Sequence, residues 1–84
     1  MSDKLKQAID VLLQISEDRT VPRNIRERAI ESKEELEKTA EDLTVRVDKA
    51  LQFLDEISED PNMPVYTRTQ IWGLVTLLES VLRE

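Results

Sequence analysis

Cysteine and histidine are both absent from the 84-residue chain. Without cysteine there is no disulfide, no thiol nucleophile and no thiolate metal site. Without histidine the commonest general base and the commonest zinc ligand are missing. Glycine occurs once and proline three times, too few breakers for an all-β chain with many tight turns. Aromatic residues are limited to Phe53, Tyr66 and Trp72. No apolar run approaches a bilayer-spanning length. No apolar segment follows a basic start, so no signal peptide is read, no membrane association is expected, and the expected location is cytoplasmic.

What is present is charge and helix-forming residues. Charged residues make up 36% of the chain and apolar ones 39%, which is too apolar for a disordered chain. Leu, Glu, Lys, Arg and Ala favour helices, and the length allows one domain, residues 1–84. The formal net charge of −6 disfavours nucleic acid and anionic lipid on average.

Apolar periodicity predicts four helices. Ser2 is a candidate cap for the first, on which Leu5, Ala8, Ile9, Leu12 and Ile15 share a face, widened by Val11 and Leu13, and which stops near Ser16. Thr20 is the expected cap of the second, with Pro22 in its first turn and a narrow stripe of Ile25, Ala29, Leu36 and Ala40. Glu34 and Lys38 form an expected i,i+4 pair on it. Neither Gly nor Pro marks the next boundary. Thr39 with Asp42 resembles a capping box and Thr44 is a second cap, so the break is placed between Thr39 and Thr44. The alternative is one rod of about 55–60 Å at 1.5 Å per residue. The third helix carries Val47, Ala50, Leu51, Leu54 and Ile57 on one face, with Phe53 beside them. Asn62 is the expected cap of the fourth, with Pro64 in its first turn. Ile71, Leu74, Val75, Leu78 and Leu82 form its main stripe, and Trp72, Leu77 and Val81 widen it.

The octet ISEDRTVP at Ile15 to Pro22 returns as ISEDPNMP at Ile57 to Pro64. Shifted by 42, residues 8–40 align without a gap on 50–82, with ten of 33 positions identical. This reads as an αα-hairpin written twice, over residues 2–40 and 44–82. Two convergent joints would look similar. Two such units are too few for a solenoid, and short loops make antiparallel neighbours. The expected fold is therefore an all-α, four-helix up-and-down bundle. In each copy an Asp (Asp18, Asp60) and an Arg (Arg26, Arg68) are expected to lock the loop, by mutual pairing or by an Asp contact to the following helix.

The copies differ in surface. The second helix is crowded with charge, whereas residues 69–82 carry one charged side chain, Glu79. A helix apolar almost all round is either central or faces a partner. Tyr66, Trp72, Leu77 and Val81 are the candidate interface residues of a homodimer or another protein contact, although a tryptophan in this position is more often core. Gly73 lies inside the helix, where a close helix–helix approach would justify it. The second candidate site is basic. Arg19, Arg23 and Arg26 are spaced to share a face and could contact phosphate, but Asp18 and Glu27 stand among them and no aromatic interleaves. Adjacent carboxylates such as Glu17-Asp18 rarely converge on one substrate, and carboxylate-rich bundle metal sites pair Glu with His. No Gly-rich phosphate loop or calcium loop is present. No enzyme activity and no cofactor are expected. The leading expectation is a self-associating interaction module, with a nucleic-acid or ribonucleoprotein accessory protein as the alternative.

The ISED…P joint, its echo and the run IWGLVTLLESVL at Ile71 to Leu82 give the whole chain a resemblance to an uncharacterised family of short acidic archaeal proteins. The resemblance implies an all-helical bundle, an archaeal cytoplasm and no assigned activity. Its motifs are structural, so it carries over no functional residue.

Overall fold

The computed structural model describes residues 3–84, so Ser2 and its expected cap lie outside them. Four helices follow in order: α1 Asp3–Glu17, α2 Arg23–Leu36, α3 Leu43–Ser58 and α4 Val65–Leu82. No strand occurs among the described residues. Each helix packs on two others: α1 on α2 and α4, α3 on α2 and α4. The backbones of the diagonal pairs stay farther apart. This is the square, up-and-down bundle expected from short loops, and its extents are 32 × 20 × 19 Å. The chain turns after Leu36, so the long-rod alternative is excluded.

The core follows the 42-residue echo. Leu5, Ala8, Leu12 and Ile15 are buried on α1, and Val47, Ala50, Leu54 and Ile57 are their counterparts on α3. Val21 and Met63 plug the two matching loops. On α2 the buried line is Ile25, Ala29, Ser32 and Leu36, and on α4 it is Thr67, Ile71, Leu74 and Leu78, the same positions 42 residues on. Ser32 satisfies its hydroxyl by donating to the Arg28 carbonyl at 2.9 Å. Truncating a fully buried leucine such as Leu12 or Leu54 would cost about 2–5 kcal/mol.

Several expected details are corrected. Thr20 does not cap α2, and Asn62 does not cap α4. Pro22 and Pro64 occupy the cap positions themselves, in extended backbone and without a side-chain cap bond. Thr20 donates instead from both N–H and Oγ1–H to Asp18 Oδ1, at 2.9 and 2.6 Å. The Asn62 N–H donates to Asp60 Oδ1 at 2.8 Å. Both contacts are Asx turns, the local alternative that short acidic side chains offer the backbone. Asp42 takes the cap position of α3, and Thr44 lies inside that helix. Lys38 pairs with Glu35 at 2.9 Å rather than with Glu34. Ala40, assigned to the α2 stripe, is exposed in the loop.

An arginine closes each joint, at the fourth residue of the helix that follows. Arg26 Nε donates to the Val21 carbonyl at 3.0 Å. Arg46 Nη1 reaches the Leu36 carbonyl at 2.9 Å. Arg68 uses both Nη1 and Nη2, on the carbonyls of Ser58 and Asp60 at 2.6 and 3.1 Å. Helix ends leave carbonyls without intrahelical partners, and a guanidinium supplies charged donors to them. The expected Asp–Arg lock is thus built differently: the arginine binds backbone, and the aspartate binds its own turn.

Candidate functional site

Two surfaces were expected to matter, and the fold separates them. At the α1–α2 joint, Arg19 and Arg23 are exposed while Arg26 is tied to Val21. Arg23 pairs with Glu27 at 3.5 Å. Nearby, a groove of about 360 Å³ between α2 and α3 is lined by Glu27, Glu31, Glu56 and Asp60, with Arg28 inside it. Arg28 bonds Glu31 at 2.6 Å and Glu56 at 2.8 Å, and lies 4.9 Å from the Phe53 ring centroid. Its cation is therefore consumed by neighbours on three sides, in cation–π range of the ring. Asn24 Nδ2 donates to Asp60 Oδ2 at 2.8 Å, linking α2 to the opposite joint. That bond, followed by the Asn62 N–H, holds the Asp60 carboxyl below its ordinary range, and the Thr20 hydroxyl and N–H do the same for Asp18.

At the other end of the bundle, Glu35 is buried on α2. Lys38 stands 2.9 Å away, and Lys49 lies 3.4 Å from Glu35 and 3.2 Å from Glu41. The Lys38 hydrogen bond leads in holding the Glu35 carboxyl low, and Glu41 leads in raising Lys49. The Glu35–Lys49 pair fastens α2 to α3, and Lys38 and Glu41 tie the intervening loop to it. Among the described residues no three acidic side chains are grouped to hold a metal. Among the described residues no helix is long and apolar enough to cross a membrane.

The second surface is α4. The helix turns Thr67, Ile71, Leu74, Leu78 and Val81 inward. Val81 is therefore core, not interface, and Leu77 is partly buried against the core. Leu82, placed in the inward stripe, is exposed instead. The outward face carries Val65, Thr69, Trp72, Thr76 and Glu79, at helical spacing of four, three, four and three. Val65 is 82% exposed, Tyr66 69% and Trp72 63%. Trp72, more often core at such a position, stands in solvent. Beside it runs a shallow groove of about 680 Å³ between α3 and α4, lined by Leu51, Gln52, Asp55, Trp72, Val75 and Thr76 among others.

Gly73 completes this face. It is exposed, and a Cβ built there would meet nothing within 4 Å. The close approach expected for it does not occur within the chain. Its cost of about 1 kcal/mol relative to alanine in a helix interior is thus not offset by any contact inside this bundle.

Known proteins share the sequence and the architecture. A UPF0147 protein of Methanocaldococcus jannaschii is 52% identical over 77 residues, which cover 92% of this chain and 83% of that one. A UPF0147 protein of Methanothermobacter thermautotrophicus is 44% identical over 80 residues, 95% of this chain and 78% of that one. Both organisms are archaea. Among solved structures, the crystal structure of a protein of unknown function, MMP1188, superposes with a TM-score of 0.89 at 55% identity, over 93% of this chain and 89% of that one. A crystal structure of a UPF0147 protein from Thermoplasma acidophilum gives a TM-score of 0.90 at 35% identity, over 93% and 92%. With a family model matching residues 1–81, the chain belongs to the uncharacterised protein family UPF0147.

Proposed function

We propose that the protein is a non-enzymatic interaction module that self-associates through the outer face of α4. The observation that carries this reading is the exposure of Val65, Tyr66 and Trp72 on one helix. Together they hold two of the three aromatic residues of an 84-residue chain. Aromatic residues are the usual energetic anchors of protein interfaces, and leaving large apolar side chains in water forgoes roughly 1.5–3 kcal/mol each. The same face is almost free of charge, which is the composition of an interface core rather than of ordinary surface.

Sedimentation equilibrium from about 1 to 200 µM tests the reading. The expected outcome is a concentration-dependent dimer that Trp72→Glu converts to a monomer. Trp72 is exposed, so the substitution leaves the bundle folded, with helical circular dichroism unchanged. A wild-type chain that stays monomeric over the whole range, with Trp72 fully quenched by acrylamide, removes the reading.

A further inference from the structure

Three features of α4 combine at one point. Gly73 is the ninth of the 18 residues of the helix, so it marks the midpoint. It presents bare backbone to open space. Trp72 is its neighbour and is 63% exposed. A glycine at the middle of an exposed helix face permits another backbone to approach closely, and nothing in its own chain makes that approach.

We propose that two copies of the chain pair antiparallel through α4 about a two-fold axis at Gly73, with the two glycines facing each other and the two Trp72 rings meeting beside them. The proposal rests on the self-association reading above and specifies its geometry. A two-fold interface is self-complementary, and residues on the axis meet their own copies. Within an antiparallel pair only the residue at the centre of the crossing satisfies that condition, and Gly73 lies at the midpoint of α4.

Charge selects both the partner and the direction. Each copy carries −6, so the mutual repulsion of two copies is least where uncharged faces meet. Residues 69–78 have no charged side chain. In a parallel pair Glu79 would face Glu79 of the second copy. In the antiparallel pair it faces the first turns of the second α4, where residues 65–69 include no acid and the helix N-terminus favours negative charge. A standard interface takes about 800 Å² per partner, about one-seventh of the 5206 Å² surface of this chain. The outer face of α4 and the rim of the α3 groove are the surfaces that would provide it.

The absence of cysteine makes the test direct. Gly73→Cys introduces the only thiol, at a site with free space. Two such thiols can join only when their Cα atoms come within about 4.4–6.8 Å. The expected result is rapid formation of a disulfide dimer on mild oxidation, at least tenfold faster than for Asp48→Cys on the exposed side of α3. Gly73→Gln, a better helix former, is expected to raise the melting temperature of the monomer and to weaken dimerisation at least tenfold. If Trp72→Glu abolishes the dimer while Gly73→Cys links no faster than Asp48→Cys, the Gly73 crossing is overturned and the α4 interface stands. A strictly monomeric wild-type chain overturns both.

Discussion

At Thr67 the interior of α4 holds a hydroxyl that the packing does not use. The residue is fully buried, and Oγ1 has no hydrogen-bond partner. Its counterpart in the first hairpin is Ile25, also fully buried. A buried polar group without a partner costs about 1–3 kcal/mol. Thr67→Val keeps the branched shape and removes the hydroxyl. We expect it to stabilise the bundle by about 1 kcal/mol, or a rise of roughly 4–8 °C in melting temperature for a domain of this size. Urea denaturation followed by circular dichroism reads the change. An unchanged or lower midpoint would mean that the hydroxyl is satisfied in solution. Ser32 shows the contrasting case, because its buried hydroxyl returns a bond to Arg28. Neither position was legible as core, since a threonine or serine on a helix is ordinarily read as surface. The signal existed only in the 42-residue alignment, which places Thr67 on Ile25 and Leu74 on Ser32.

The same alignment explains what could and could not be read about whole elements. The faces of α1 and α3 were legible because their apolar and polar sides contrast strongly. The rotation of α4 was not. With apolar residues almost all round, Ile71, Leu74, Val75, Leu78 and Leu82 trace one plausible stripe and Thr67, Ile71, Leu74, Leu78 and Val81 trace another. Periodicity alone cannot choose between them. Transferring the α2 face by 42 residues chooses correctly: exposed Arg23, Ile30 and Glu31 predict exposed Val65, Trp72 and Gly73. The joints were legible as joints from ISED and proline, but their bonds were not. The arginine at the fourth helical residue recurs at Arg26, Arg46 and Arg68, and two of those three follow the prolines.

The acidic residues of these elements carry a pH dependence with a definite sign. Asp18, Asp60 and Glu35 all have carboxyls held below their ordinary values in the folded chain. On acidification the unfolded chain therefore takes up protons first, and stability falls as pH drops through the usual carboxylate range near 4 and below. We expect the melting temperature to be flat from pH 7 to 5 and to decline from there to pH 2.5. Asp60→Asn keeps an oxygen for the Asn62 N–H but loses the charge. It should lower the melting temperature at pH 7 and make the acid decline shallower. An acid limb as steep as that of the wild type would remove Asp60 from the account.

At the scale of the molecule, charge is distributed against the pseudo-repeat. The two hairpins share their buried positions, but α2 carries most of the ion pairs, within itself, to the loop that follows it and to α3, while α4 has one acid between Thr69 and Leu82. The bundle is therefore solvated along its α2–α3 side and poorly solvated along α4. This asymmetry makes opposite predictions for the two kinds of partner weighed from the sequence. A cationic patch on nucleic acid loses affinity steeply as salt rises, because counterions are released on binding. Two copies of a −6 chain meeting through an uncharged helix gain affinity as salt rises, because added ions screen their mutual repulsion within a Debye length of about 10 Å at 0.1 M and 3 Å at 1 M. The dimerisation constant is thus expected to tighten severalfold between 50 mM and 500 mM sodium chloride. Sedimentation equilibrium at fixed protein concentration measures it. A constant that weakens over that range would mean that ion pairs hold the copies together, and would move the interface from α4 to the charged faces of α2 and α3.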